Sequence, residues 1–223
     1  MAGLRISMLI LLGGLLAAGC AAPPGTGFKP QWDGLVLRPG TRLDAVYVQP
    51  GAEVHSYDNI ILDPVEVSFA SNWDPNRGTV GASDRLDAQD IQRIRRDMAA
   101  LFREVFAEEL AEGGYRLVDE PAYDTLRVTP AIVDLYINAP ERNATGRSRV
   151  YTAEAGSMTL VLELRDSVTG DILARVIDSS TARQTGMYTM TSQTSNTAEA
   201  RRAFRNWAGI LREGLDEARA RAR

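Results

Sequence analysis

The sequence has few of the side chains on which most catalytic and metal sites depend. Its 223 residues include one cysteine, Cys20, and one histidine, His55. A lone cysteine excludes an intramolecular disulfide and a zinc site built from several thiolates, and a lone histidine leaves little material for an activated nucleophile. Neither a GxSxG elbow nor a phosphate-binding P-loop occurs in the sequence. These absences predict that the protein is not an enzyme and uses no cofactor.

Basic residues do not outnumber acidic ones. Lys29 is the only lysine, and the 25 basic residues stand against 29 acidic ones, for a net charge of -4 at pH 7. A protein that binds nucleic acid needs a basic patch or stripe to neutralise phosphates. The charge balance therefore predicts no nucleic-acid partner.

The N-terminus has the organisation of a bacterial export signal. Arg5 provides a positive start, residues 6–16 form an apolar run too short to span a bilayer with ease, and Ala18-Gly19 precede Cys20. This pattern resembles the lipobox of bacterial lipoproteins, which implies that residues 1–19 are removed and that Cys20 carries the lipid. The alternative is an ordinary signal peptide cut nearby, which would leave a soluble periplasmic protein.

The resemblance to lipoproteins also bears on location. Acyl chains such as palmitate on Cys20 would make the membrane itself a partner, since each buried methylene contributes about 0.8 kcal/mol. Ala21, not aspartate, follows Cys20. In lipoproteins of bacteria with two membranes this implies an anchor in the outer membrane, facing the periplasm. Anchoring in the inner membrane stays open as an alternative.

The mature chain divides into a tether and one domain. Residues 20–40 are rich in proline and glycine, which predicts a flexible tether, and residues 41–223 have the length of a single domain. Apolar residues at helical spacing predict a helix that begins after Asp87 and ends at Gly113, and a second helix from about Thr197.

Strand patterns fill the space between the two predicted helices. Residues 126–137, 149–165 and 172–182 are typical of an antiparallel meander, and Pro130 predicts a bulge or an edge position. The predicted fold class is therefore α+β, with an antiparallel sheet packed against two amphipathic helices in a single domain.

Four segments carry a further resemblance. They are Gly114–Val118, Asp124–Val128, Leu162–Asp171 and Trp207–Asp216. In this order they resemble the bacterial lipoprotein family called domain of unknown function 3313. The resemblance covers most of the mature chain and implies one α+β domain on a lipid tether. It implies no reaction, because the family has no assigned activity.

The predicted meander brings two long polar loops, 138–148 and 183–196, to one end of the sheet. The candidate recognition residues on and beside them are Arg142, Asn143, Arg147, Arg149, Arg183 and Tyr188. Arginine and tyrosine are enriched at recognition surfaces. These loops predict a structural or binding module that presents a surface to an envelope protein or a glycan. The alternative is a carrier of a lipid or another hydrophobic ligand within an envelope transport system, which requires a cavity between helix and sheet.

Three aspartates, Asp84, Asp87 and Asp90, recur at a spacing of three residues. Such a cluster could suggest a metal site. Its place at the start of a predicted helix gives a simpler explanation, since negative charge there complements unpaired backbone N–H groups. We therefore interpret the aspartates as capping residues.

Two other sets of residues could suggest chemistry. Glu163 and Asp166 could form an acid-base pair, but they flank a predicted hairpin turn, where aspartate is expected to make local hydrogen bonds. His55 lies between Glu53 and Asp58, which could form a weak metal site, but a loop histidine exposed to solvent is the simpler interpretation. The sequence predicts no catalytic residue and no metal.

Overall fold

The structure is a computed structural model that describes residues 27–52, 54–77, 85–137, 151–152, 156–181, 189–190 and 193–221. The strands are β1 Gln31–Trp32, β2 Leu35–Leu37, β3 Ala45–Val48, β4 Asn59–Leu62, β5 Glu66–Phe69, β6 Arg116–Leu117, β7 Thr125–Tyr136, β8 Tyr151–Thr152, β9 Ser157–Asp166, β10 Ile172–Thr181 and β11 Thr189–Met190. The helices are α1 Ala88–Glu112 and α2 Gln193–Arg221, and a short 3-10 turn covers Val54–Ser56.

Nine of these strands form one sheet in the order β1-β2-β3-β10-β9-β7-β4-β6, and β5 continues beside β7 where β4 has ended. Strands β4 and β5 run parallel to β7, and β6 runs parallel to β4, while all other pairs are antiparallel. The predicted α+β class, with a mostly antiparallel sheet and two helices in a single domain, is confirmed.

The sheet buries one face because apolar residues alternate along its central strands. Leu160, Leu162 and Leu164 of β9 are buried, and the residues between them are half-buried on the opposite face. Alternation of this kind is expected when only one face of a strand is covered. Both helices lie on this face, where Phe102 and Phe106 of α1 stack on each other and Phe102 meets Phe204 of α2 edge to face.

Helix α1 begins and ends where the sequence predicts. The Asp87 carboxylate accepts hydrogen bonds from the N–H groups of Gln89 and Asp90, and the Asp90 carboxylate accepts one from the Asp87 N–H. This capping box confirms the interpretation of these two aspartates, while Asp84 lies outside the described residues. At the other end, Gly114 has a φ of +79°, which favours glycine.

The two helices run side by side in the same direction and approach closely at Gly113. A β-carbon at Gly113 would lie 2.7 Å from Cγ of Arg212, so a larger residue there would have to displace the Arg212 side chain. Helix α2 begins at Gln193, four residues before the predicted start at about Thr197. Neither of these described helices is both long and apolar enough to cross a membrane.

Pro130 lies inside β7 and not at an edge or a bulge. The Val128 carbonyl accepts a hydrogen bond from the Asp63 N–H, so the backbone of Val128 and that of Pro130, two residues on, face the same side. On that side β4 has already ended at Leu62. No strand therefore needs a hydrogen bond from the backbone nitrogen of Pro130, which has no hydrogen to donate. The bulge comes four residues later, where Asp134 has a φ of +53° and the pairing with β9 becomes irregular.

The folded domain begins earlier than composition indicates. The predicted tether covers residues 20–40, yet β1 and β2 form a hairpin whose second strand pairs with β3. Phe28 packs against Leu35, Ala45 and Tyr47 in a small second core. The region predicted as a tether therefore contains an ordered hairpin, and Gly34, with a φ of +82°, forms its tip.

Candidate functional site

An apolar cavity of about 400 Å³ lies between α2 and the β3 side of the sheet. A helix is about 10 Å across and neighbouring strands are about 4.8 Å apart, so two helices cover about four strands. A sheet of this width therefore extends past its helices. On β3, Val46 and Val48 face α2 and are only partly buried. The cavity is the space left where α2 does not reach the edge of the sheet.

Aliphatic side chains form most of the cavity wall. The sheet supplies Val46, Val48, Leu160, Leu162, Leu164, Ala174 and Val176, and helix α2 supplies Trp207, Ile210, Leu211 and Leu215. Residues 40–43, Val54, Gly214 and Glu217 complete the lining. Every second side chain of β9, and every third or fourth side chain of α2, points to the same side. These side chains therefore meet around one space.

Small residues keep this space open. Ala174 faces the cavity from β10, and Gly214 faces it from the interior of α2. A β-carbon at Gly214 would meet nothing within 4 Å. Glycine inside a helix costs about 1 kcal/mol relative to alanine, and here no close contact requires it. Gly214 is exposed to solvent, so this open space lies at the outer rim of the cavity.

The cavity mouth is bordered by the 38–44 segment, which connects β2 to β3. Arg42 of this segment forms an ion pair with Glu213 of α2, and both side chains remain about half exposed. Further along α2, Glu217 lies at the cavity and pairs with Arg221 at 2.9 Å. The charges at the mouth are thus paired with one another, and the interior of the cavity is left apolar.

Asp178 of β10 connects the sheet to helix α2 and to the 38–44 segment. Its carboxylate accepts a hydrogen bond of 2.7 Å from Nε1 of Trp207 and one of 2.9 Å from the Asp44 N–H. The Asp44 carboxylate in turn accepts one from the Ser179 N–H. Trp207 is 3% exposed. The indole N–H needs a partner when it is buried, and Asp178 provides it.

A second cavity, of about 70 Å³, lies at the end of the sheet near Met98, Leu135, Ile137 and Met158. It has too little volume for a drug-sized ligand. It lies where β7 ends, β9 begins and β10 ends, so the described strands do bring these chain ends together. Strand β8, which follows the predicted loop 138–148, pairs with β11, which lies within the predicted loop 183–196.

The side chains of the predicted recognition residues cannot be placed in this geometry. Arg142, Asn143, Arg147, Arg149, Arg183 and Tyr188 all lie outside the described residues, as does the predicted lipid attachment site, Cys20. Their roles stay predictions.

The two candidate acid-base carboxylates have structural partners. Asp166 accepts hydrogen bonds from the N–H groups of Val168 and Thr169 and from the hydroxyl of Tyr57, and the backbone hydrogen bond from Thr169 lowers its pKa. Burial alone would raise the pKa of Glu163, but hydrogen bonds from Arg175 and Arg165 hold it below the usual range. A general acid needs a raised pKa, so neither carboxylate has the environment of one.

Of the possible metal cluster around His55, only Asp58 has a described side chain. Glu53 and the side chain of His55 are outside the described residues, and Asp58 pairs with Arg219 at 2.7 Å. Within the part of the chain that the structure describes, no three His, Cys, Asp or Glu side chains lie close enough together to hold a metal ion.

Comparison with known families identifies the chain. The family described as "Protein of unknown function (DUF3313)" matches residues 28–211, most of the sequence and nearly all of the described domain. The chain belongs to this family. The start of the match at residue 28 agrees with the start of the packed domain at Phe28. No curated protein matches the sequence.

Solved structures similar to this DUF3313 protein are distant from it. A PelC dodecamer from Paraburkholderia phytofirmans has 12% identity and a TM-score of 0.39, with 75% of this chain and 96% of that chain covered. A minor lipoprotein from Acinetobacter baumannii has 8% identity and a TM-score of 0.34 over 73% and 95%. A homolog of neuraminyllactose-binding hemagglutinin from Helicobacter pylori has 11% identity and a TM-score of 0.41 over 77% and 89%. At these TM-scores the likenesses carry no argument about function.

Sequence patterns alone missed the cavity of this DUF3313 protein and the residues that shape it. Arg42 and Asp178 carry no motif, Gly214 lies in a segment that indicated only the family, and only tertiary contacts bring the three to one cavity. One signal was available, because Gly209 and Gly214 both lie inside α2, where a glycine costs about 1 kcal/mol relative to alanine.

Proposed function

We propose that this DUF3313 protein is a membrane-anchored lipoprotein of the bacterial envelope that holds one hydrocarbon chain in the cavity between α2 and the sheet. The observation that carries this proposal is the cavity itself. Its volume of about 400 Å³ lies within the range of about 300 to 1,000 Å³ typical of small-molecule sites.

The chemistry of the wall favours a hydrocarbon as the occupant. Aliphatic groups and one indole ring, whose N–H is already bonded to Asp178, line the interior. A polar ligand would lose its hydrogen bonds to water there without replacing them, whereas an alkyl or isoprenoid chain would gain about 25 cal/mol for each Å² of surface that it buries. The size suits one chain and not a helix of a partner protein.

The anchor supports a role in the envelope and not in solution. Residues 1–19 have the features of an export signal, and Cys20 follows them in a lipobox-like context. We place the lipid in the outer membrane with the domain facing the periplasm. A carrier held there has membrane lipids within reach, and such transfer needs neither a nucleophile nor a cofactor. We therefore propose a carrier and not an enzyme.

Native mass spectrometry of the full lipidated protein, extracted gently from envelopes, tests this function. The wild type is expected to carry the acyl mass on Cys20 and one additional noncovalent lipid. Gly214→Leu should lose most of this second mass, because the new side chain enters the cavity mouth. The same change should not destabilise the fold, since leucine favours a helix over glycine by up to about 1 kcal/mol.

Asn206→Leu is the matched control, because it adds the same side chain to the exposed face of α2. It should retain the bound lipid at the wild-type level. Absence of a second lipid in the wild type, or equal retention by the Gly214→Leu protein, would overturn the proposal.

A second candidate function rests on the pairing of β8 with β11, which brings the chain just after the predicted loop 138–148 beside the predicted loop 183–196. A module of this kind would bind an envelope protein or a glycan through Arg142, Asn143, Arg147, Arg149, Arg183 and Tyr188. In the same mass spectra a bound protein or glycan in place of the lipid would favour this function over the carrier.

A further inference from the structure

We infer that the 38–44 segment is a lid over the cavity and that the Arg42–Glu213 ion pair is its latch. This inference rests on the proposed function, since a lid is needed only if something passes the mouth. Three observations support it: the segment is fixed at both ends, its middle is joined to α2 by few contacts, and it borders the cavity.

The two ends of the lid are held by hydrogen bonds that backbone N–H groups donate to a carbonyl and to two carboxylates. The Arg38 N–H donates to the Val46 carbonyl at 2.8 Å, which closes the segment on itself next to the sheet. The Asp44 N–H donates to Asp178, and the Asp44 carboxylate accepts from the Ser179 N–H, both at 2.9 Å. The lid can therefore open without separating β2 or β3 from the sheet.

The middle of the lid has a different kind of attachment. The Thr41 hydroxyl donates to the Leu43 carbonyl within the segment, and Leu43 packs on the main core. Among the polar contacts described for residues 39–43, only the Arg42–Glu213 pair reaches α2. Exposed ion pairs contribute little to stability and weaken as salt is added.

The segment also contains a point at which it can bend. Gly40 has a φ of +74°, and a β-carbon there would meet nothing within 4 Å. Hinges are short loop positions that absorb a change in backbone angles. Rotation about Gly40 would carry Arg42 away from Glu213 and move Leu43 off the core. The space between β3 and α2 would then open for a chain to enter from the side.

Exchange kinetics test the lid. The full protein, anchored in phosphatidylcholine vesicles, is mixed with a fluorescent polyene fatty acid, and energy transfer from tryptophan reports entry beside Trp207. The Gly214→Leu protein serves as the blank for transfer outside the cavity. Arg42→Gln and Glu213→Gln should each raise the rates of uptake and release several-fold, with little change in the equilibrium amount bound. Salt at 0.5 M should raise the exchange rate of the wild type and leave the exchange rates of these variants unchanged.

Glu217→Gln is the matched control, because it removes the same charge from the cavity edge on the same helix but its partner Arg221 is also on α2. It should exchange at the wild-type rate. In the double variant Arg42→Cys with Glu213→Cys, a bifunctional maleimide should slow exchange at least tenfold, and the Cys20-only parent should not respond to it.

The outcomes separate the lid from the function. Probe binding with equal rates in the wild type, Glu213→Gln and the crosslinked protein would overturn the lid and leave the carrier intact. Equal acceleration by Glu213→Gln and Glu217→Gln would also overturn it, because a general charge effect would then explain both. No transfer above the Gly214→Leu blank would overturn the carrier itself.

Discussion

Arg175 and Glu163 form the most buried ion pair on the sheet face opposite the helices. The Arg175 side chain is 8% exposed, bonds Glu163 on one side and Asp33 on the other, and stacks on the Trp32 ring with its guanidinium carbon 3.9 Å from the ring centroid. The stack joins the β1–β2 hairpin to the sheet. At the scale of single residues, the charges of this face hold the N-terminal hairpin in place.

Glu163→Gln is expected to destabilise the fold by about 2 kcal/mol at pH 7, because the buried Arg175 would lose its less exposed charged partner and keep only the exposed Asp33. The effect should shrink with acid. The pKa of Glu163 is lowered in the fold, so its contribution is complete above the unfolded value of about 4.3 and is lost as the pH falls through the folded value. Chemical denaturation at pH 7 and pH 3 measures both differences.

Glu66→Gln provides the comparison for this prediction, since Glu66 is exposed on β5 of the same sheet. It should change the free energy of unfolding by no more than a few tenths of a kcal/mol, roughly, at either pH. An equal loss of stability for Glu163→Gln at pH 7 and pH 3 would show that packing, and not charge, explains the effect.

At the scale of elements, α1 is defined by local signals. Asp87→Ala removes the acceptor for two N–H groups and is expected to cost about 1 kcal/mol of unfolding free energy. Asp97→Ala, in the exposed middle of the same helix, should change stability far less. Urea denaturation of both variants measures the difference, and similar costs for the two would contradict a capping role.

The strands of the sheet depend on more distant partners. β7 pairs with β9 on one side and with β4 and then β5 on the other, so the break between β4 and β5 lies beside Pro130. The break between the two strands explains why proline is tolerated inside β7, because proline needs no hydrogen-bond acceptor where the neighbouring strand is interrupted. Pro130 could be identified as a special position from the sequence, but its central location in the sheet could not.

At the scale of the whole molecule, the stretch of chain between Cys20 and the packed domain is short. From Cys20 to Phe28, where packing begins, eight peptide units extend at most about 27 Å. A lipid on Cys20 would therefore hold the cavity near the bilayer surface, and a hydrocarbon chain would not need to travel far through water. A tether running to residue 40 would have allowed more than twice this reach.

Cys20→Ala should move the protein from the membrane fraction to the soluble fraction, or leave it unprocessed with its signal peptide. The physical reason is that several acyl chains supply the membrane affinity and the described helices include no membrane span. Fractionation of envelopes with intact mass measurement checks the result. Unchanged membrane association and an unchanged mature mass would contradict lipidation at Cys20.

The sequence by itself determined the features that depend on neighbours along the chain. The cap at Asp87, the turn at Gly114, the alternation in β9 and the α+β class all follow from local hydrogen bonding and from which residues repeat on one face. The resemblance of four short segments to the DUF3313 family was likewise available from the sequence and is confirmed by the match over residues 28–211.

Only the tertiary structure decided where the cavity lies and what borders it. Residues 171 positions apart, Arg42 and Glu213, meet at its mouth, and Asp178 connects β3 to α2 through contacts that no spacing in the sequence encodes. Tertiary contacts also decided the position of the N-terminal hairpin, because Trp32 of the hairpin stacks on Arg175, far along the chain. The physical reason is that a cavity is a mismatch between the width of a sheet and the helices that cover it, and this mismatch exists only after the layers have packed.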